Sequence, residues 1–206
     1  MNEISAQDVM RLRRSTGAAM MDAKRALQEA GGDPERAREL LREKGLADAR
    51  KRAGRAAGQG AIGHYLHTQN ERPVIGVLVE LASETDFVAK NELFVESARD
   101  LAMHVAAARP RWVRREDVPA GTLDKERELI TRQAGREGKP EAVIPKIVEG
   151  RLRSFYQDNV LYEQEFVNPD KFKGTVGEMV DQLAAKMGEN IGVRRFSRLV
   201  VGEEDE

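Results

Sequence analysis

The chain has 206 residues, of which 33% are charged, with 34 Lys and Arg against 35 Asp and Glu and a formal net charge of -1. That length can bury a sizeable core in one large domain or in a small one joined to a medium one, and the balance of charge argues against the basic surface of a dedicated nucleic-acid binder. There is no cysteine, so disulfides and thiolate metal sites are excluded, as suits a reducing cytoplasm.

Residues 1–8 lack a basic and an apolar targeting segment, and no stretch approaches the ~18 continuous apolar residues of a membrane span. A cytoplasmic protein is expected, with no membrane contact. Helical periodicity follows in three short pieces, residues 6–14, 19–30 and 34–44. Ser5 can cap the first, Gly17 can make the turn after it, Gly31-Gly32 can end the second, and Asp33 can cap the third with Pro34 at its first position. Val9, Leu12, Ala26, Leu27, Ala37, Leu40 and Leu41 would form a small apolar centre. This predicts a three-helix module over residues 1–46, resembling the ubiquitin-associated fold.

Residues 47–60 carry Arg50, Lys51, Arg52 and Arg55 among small residues and glycines and read as a segment that starts helical and ends as a flexible linker. From residue 61 to 206 an α+β core with a small antiparallel sheet is expected. Residues 62–68 and 74–81 are two strands joined by a polar loop. A helix covers 91–108 with Leu93, Phe94, Ala98, Leu101, Ala102 and Val105 at core spacing. A short extended piece at Trp112-Val113 follows, then helices near 123–135, 141–156 and 176–187, an irregular or extended stretch at 160–167, and a final strand at 191–201. The acidic residues 203–206 read as a solvated end.

Three places could carry function. Thr85-Asp86-Phe87-Val88 sets an aromatic beside a carboxylate on a strand-to-helix turn; such a ring is usually buried at home, or it is offered to a partner. Met20 and Met21 follow the glycine turn, and adjacent helical side chains point about 100° apart. One of them is therefore expected in the core and the other available as an adaptable apolar contact. His104 lies on the 91–108 helix, where a partly buried, hydrogen-bonded ring is the ordinary expectation. His64 and His67 fall on opposite faces of a strand and read as structural or surface residues. With three histidines in all, no metal site is expected.

The basic run at 50–55 lacks interleaved aromatics and reads as a solvated linker. Gly58-Gln59-Gly60-Ala61-Ile62-Gly63 precedes a strand, whereas phosphate loops follow one and open a helix; no nucleotide site is expected. No serine or cysteine nucleophile can be paired with a base, so enzymatic chemistry and a cofactor are not expected.

Taken together, Thr16-Gly17-Ala18-Ala19-Met20-Met21-Asp22-Ala23-Lys24-Arg25-Ala26-Leu27 and Thr85-Asp86-Phe87-Val88-Ala89-Lys90-Asn91-Glu92 resemble the two hallmark motifs of elongation factor Ts. The likeness continues through Ala102-Met103-His104-Val105-Ala106-Ala107, Glu137-Gly138-Lys139-Pro140, Val148-Glu149-Gly150-Arg151 and Gly188-Glu189-Asn190-Ile191, in the short form of the family. The resemblance implies a guanine-nucleotide exchange factor that binds elongation factor Tu with GDP or without nucleotide, performs no covalent chemistry, and is displaced by GTP. Thr85, Asp86, Phe87 and Val88 would then be the magnesium-dislocating segment. Arg13, Thr16, Gly17, Met20 and Met21 would dock on a helix of the GTPase, and the His104 helix would approach its phosphate-binding side. Ala19 stands where the family commonly has glycine, so a turn needing positive φ there would be strained. The short form has room for one core subdomain where longer members carry two, which implies a homodimer. A nucleic-acid-associated or general adaptor module, built on the three helices and the basic segment, is the reading of a different class; salt-sensitive RNA binding would mark it.

Overall fold

The computed structural model describes residues 4–203, so residues 1–3 of the targeting stretch and 204–206 of the acidic end lie outside the described residues. The protein is α+β, with a three-stranded sheet in the order β1-β2-β3. In chain order the elements are α1 (Ala6–Thr16), α2 (Met20–Glu29), α3 (Pro34–Arg52), β1 (Gln59–Gln69), β2 (Arg72–Ser83), α4 (Asp86–Ala89), α5 (Glu92–Ala108), α6 (Ala120–Arg136), α7 (Ile144–Asn159), α8 (Val176–Met187) and β3 (Gly192–Val200). The chain divides into two compact units. One holds the residues up to Gly60 with Ala82–Val88 and Val180–Gly192, and the other holds Ala61–Leu81, Ala89–Met179 and the residues from Val193 onward.

In the first unit the three helices close around Val9, Leu12, Ala23, Ala26, Leu27 and Ala37, with Ile4, Ala30, Leu40 and Leu41 partly buried against them. Several of the helix ends are set locally. The Ser5 hydroxyl accepts from the Asp8 N–H at 3.1 Å, and Asp33 Oδ1 accepts from Glu35 N at 2.9 Å, satisfying donors that a helix leaves open at its start. The second helix ends as expected: the Gly32 N–H reaches the Leu27 carbonyl at 2.8 Å, with both Gly31 and Gly32 at positive φ. α3 continues to Arg52, beyond the expected end at 44, because Gly45 is the only interruption of helix-forming residues and a helical glycine costs only ~1 kcal/mol.

In the second unit, alternation along the strands separates an inner from an outer face. Val77, Val79 and Leu81 are buried, as are Phe94, Ala98, Leu101, Ala102 and Val105 of α5. A Cβ added to Gly63 would fall on the Ala98 carbonyl, so this glycine serves close backbone packing. α6 and α7 form a helical hairpin with two buried residues on α6, Ile130 and Ala134, and none on α7. The segment expected to be irregular or extended contains one turn of tight helix at Leu161–Glu163 and bridges Trp112↔Val160 and Glu165↔Thr175. Among the described residues, no helix is long and apolar enough to cross a membrane.

Candidate functional site

The turn between β2 and α4 presents Phe87 to solvent at 82% exposure, although rings of this type are usually internal. Asp86 is also exposed, whereas Val88, next in sequence, is buried. The backbone before the ring is held from a distant part of the chain. Glu189 Oε2 accepts from the amides of Glu84 and Thr85, each at 3.1 Å, and Glu189 Oε1 accepts from the Thr85 hydroxyl at 2.6 Å. The same hydroxyl accepts from Val88 N at 3.3 Å. In return, Glu84 Oε1 accepts from Asn190 N at 2.6 Å. Asn190 Nδ2 donates to the carbonyls of Ala53 at 3.3 Å and Arg55 at 2.7 Å. Arg55, in the run expected to be merely solvated, pairs with Glu84 at 3.6 Å.

The second predicted contact is the α1–α2 turn. Gly17 adopts φ 71° and closes α1 by donating to the Arg13 carbonyl at 2.8 Å. The Thr16 hydroxyl donates to the Leu12 carbonyl at 2.8 Å and accepts from Ala18 N at 3.3 Å. Arg13 is exposed. Met20 and Met21 are 43% and 63% exposed, which corrects the expectation that one of them lies in the core: Ala23, Ala26 and Leu27 fill that place. The conditional strain at Ala19 does not arise either. Its φ is -62°, and the positive φ falls on Gly17.

His104 is the predicted contact that the fold relocates. Its ring is 0% exposed and stacks on Phe166 with centroids 5.6 Å apart, so it is no surface for a partner. Val167 N can only donate, and it donates to His104 Nδ1 at 3.2 Å; the proton therefore sits on Nε2, which donates to Gln164 Oε1 at 3.0 Å. Gln164 Nε2 in turn donates to the carbonyls of Asp158 at 2.9 Å and Ala108 at 3.2 Å. Burial pushes the His104 pKa down, and the bond to Gln164 only partly opposes this.

His64 and His67 are exposed on β1, and His67 Nδ1 lies 3.3 Å from the Tyr65 hydroxyl. Among the described residues, no three His, Cys, Asp or Glu side chains are grouped to hold a metal. The chemistry on offer is that of recognition: an exposed aromatic beside a carboxylate, and an exposed methionine pair.

A sequence model described as Elongation factor TS matches residues 47–173. The chain is 53% identical over 201 residues to elongation factor Ts of Fervidobacterium nodosum, covering 98% of this chain and 100% of that protein. The chain belongs to the elongation factor Ts family. It is similarly 52% identical to elongation factor Ts of Desulforamulus reducens, over 98% of this chain and 91% of the relative. The counterpart in Carboxydothermus hydrogenoformans is 53% identical over 97% and 90%. Members of the elongation factor Ts family are translation elongation factors, and this protein is therefore one of them. Glu84, Glu189 and Asn190 had no assigned role from sequence, because Glu189 meets Thr85 across 104 residues and no periodicity reports such a meeting.

Proposed function

We propose that this elongation factor Ts is the guanine-nucleotide exchange factor of elongation factor Tu. The observation that carries the reading is the 82% exposed Phe87 on a turn whose backbone is bound at residues 84, 85 and 88. A ring held out this way can enter a partner without first being extracted from its own core. In the proposed complex Asp86 and Phe87 disturb the groups around the magnesium ion that bridges GDP and the GTPase. Loosening that shell removes the largest local charge contact on the nucleotide. Arg13, Thr16, Gly17, Met20 and Met21 supply docking contact, and the exposed methionines suit an apolar groove. Helix α5 acts on the phosphate-loop side, with the buried His104 holding Gln164 and Val167 against that helix rather than touching the partner.

Coupling is reciprocal: a factor that weakens nucleotide affinity is itself weakened by nucleotide to the same extent. GTP therefore displaces it, and no covalent step or cofactor is needed. The functional form is a homodimer in the cytoplasm. Support for the dimer comes from large apolar side chains that the strands expose, Ile62 and Leu66 on β1, Leu78 on β2 and Leu199 on β3, since exposed apolar surface suits burial against a second copy.

The deciding experiment is release of a fluorescent GDP analogue from the cognate elongation factor Tu. Acceleration by the parent protein and its loss in a folded Asp86→Ala/Phe87→Ala variant are expected; a parent that leaves release unchanged refutes the reading. Sedimentation tests the dimer, and a stable monomer with full activity would refute that part alone.

A further inference from the structure

We propose that Glu189 is a positioning residue for the Asp86-Phe87 pair, its carboxylate setting the direction in which the turn presents the ring. This inference rests on the exchange reading for its kinetic consequence, but its structural basis is independent of it. One carboxylate accepts three hydrogen bonds from two consecutive residues, Glu84 N, Thr85 N and Thr85 Oγ1. Hydrogen bonds to a carboxylate are stronger than those between neutral groups, and three of them converge here from fixed directions. The Thr85 hydroxyl then relays the restraint, donating to Glu189 and accepting from Val88 N. Phe87 lies between Thr85 and Val88, so the backbone is bound on both sides of a side chain that is itself in solvent.

The arrangement is reciprocal. Glu189 holds the backbone of residues 84 and 85, and Glu84 holds the backbone of residue 190. Arg55 pairs with the Glu84 carboxylate at 3.6 Å and so holds it from the chain just after α3. Asn190 extends the clasp to the carbonyls of Ala53 and Arg55 just after α3. A pair of apolar side chains could fill the same place, but it could not fix the orientation of two amides and a hydroxyl. The geometry is that of a directional support, needed where a contact must arrive at a set angle.

The test uses the full-length protein with Glu189→Ala and Glu189→Gln, each checked for folding by circular dichroism. Release of the fluorescent GDP analogue from elongation factor Tu is measured against factor concentration, and amide hydrogen exchange at Glu84 and Thr85 is measured on the factor alone. A misdirected catalytic contact costs up to about 100-fold for a shift of about 1 Å, so Glu189→Ala is expected to lower the maximal release rate about tenfold. The half-saturating concentration should stay within about twofold, because the docking turn is untouched. The two amides should exchange about tenfold faster as their acceptor is lost. Glu189→Gln keeps one acceptor oxygen and should fall between, which also carries the test if Glu189→Ala does not fold. Parental maximal rates in both folded variants, or unchanged amide exchange, would overturn the proposal. If the parent itself releases no nucleotide, the exchange reading falls, and amide exchange still decides whether Glu189 holds the turn.

Discussion

The α1–α2 and β2–α4 turns both offer large apolar side chains to solvent, and they are anchored in different ways. At the α1–α2 turn the hydrogen bonds of Thr16 and Gly17 are local: Gly17 bonds to Arg13, and Thr16 bonds to Leu12 and Ala18. At the β2–α4 turn the amides of Glu84 and Thr85 are held by Glu189, 105 and 104 residues away, beside local bonds from Ser83 and Val88 to Thr85. A locally anchored surface keeps its shape as long as its helices stand, whereas a remotely anchored one depends on two distant segments meeting correctly. The methionine pair can adapt to a groove through flexible side chains. The Phe87 ring, with two side-chain torsions, must be aimed by its backbone. The proposed division of labour follows: the adaptable turn docks, and the aimed turn disturbs the magnesium site.

The largest effect should come from removing what the remote anchor aims. Phe87→Ala is expected to cost release activity about 30- to 1,000-fold, the ~2–4 kcal/mol of an interface hot spot. Its melting transition should move little, since an exposed substitution usually changes stability by less than ~0.5 kcal/mol. A variant that loses stability and activity in proportion would show that the ring works within its own fold, and the contrast between the turns would collapse.

How much was legible follows the same local and remote division. Val9, Leu12, Ala26, Leu27 and Ala37 could be assigned to one core because helical spacing is a local property, and the caps at Ser5 and Asp33 needed only three or four residues to read. Phe87 is ambiguous in sequence: an aromatic on a turn is more often buried than displayed, and only its exposure of 82% decides for display. The exposure of both methionines was missed because Ala23, with almost no hydrophobic bulk, takes the core position that a methionine was expected to fill. His104 was placed on the correct helix, but its internal role depends on Gln164 and Val167, 60 and 63 residues on. The Glu189 clasp was invisible for the same reason.

His104 gives a second remote anchor, testable by pH. Burial holds its folded pKa below the ordinary value of 6.5, so the neutral ring is favoured in the folded state. The resulting stability is present above pH 6.5 and is lost as pH falls from there toward the lower folded pKa, because the unfolded chain takes up the proton first. The slope contributed by this residue approaches but cannot exceed ~1.4 kcal/mol per pH unit. Denaturant melts between pH 7.5 and 5.5 should show this loss in the parent, and His104→Gln should flatten that part of the slope while being less stable at pH 7.5. An unchanged slope would mean that the ring titrates as if exposed.

The local anchor is tested by Gly17→Ala. At φ 71° an L side chain is strained by ~1 kcal/mol, and the nearest atom to an added Cβ is Lys186 Cγ at 3.9 Å, so crowding adds nothing. Thermal melts should show that modest loss, and Gly17→Asn should recover part of it because asparagine tolerates this conformation. Docking should weaken only to the extent that the turn opens. A loss far above ~1 kcal/mol would mean that this turn, too, is held by something distant.

The smallest effect runs in the opposite direction and concerns a turn whose residues do not fully suit it. Between β1 and β2 the chain reverses at Asn70 and Glu71, with φ 49° and 64°, both in the left-handed region that a two-residue hairpin turn of this hand requires. Asparagine accepts that conformation readily, but glutamate gains no local hydrogen bond from it and bears the steric cost. Glu71→Gly should therefore stabilise the protein by ~0.5–1 kcal/mol, even though glycine is the more flexible residue when unfolded, because relief of strain in the folded state exceeds the added chain entropy. Glu71→Val should be worse than the parent, since a branched Cβ suits positive φ least. If glycine brings no gain, the turn's geometry is imposed at no cost by the pairing of β1 with β2, and even this short-range feature would be governed by the sheet rather than by its own two residues.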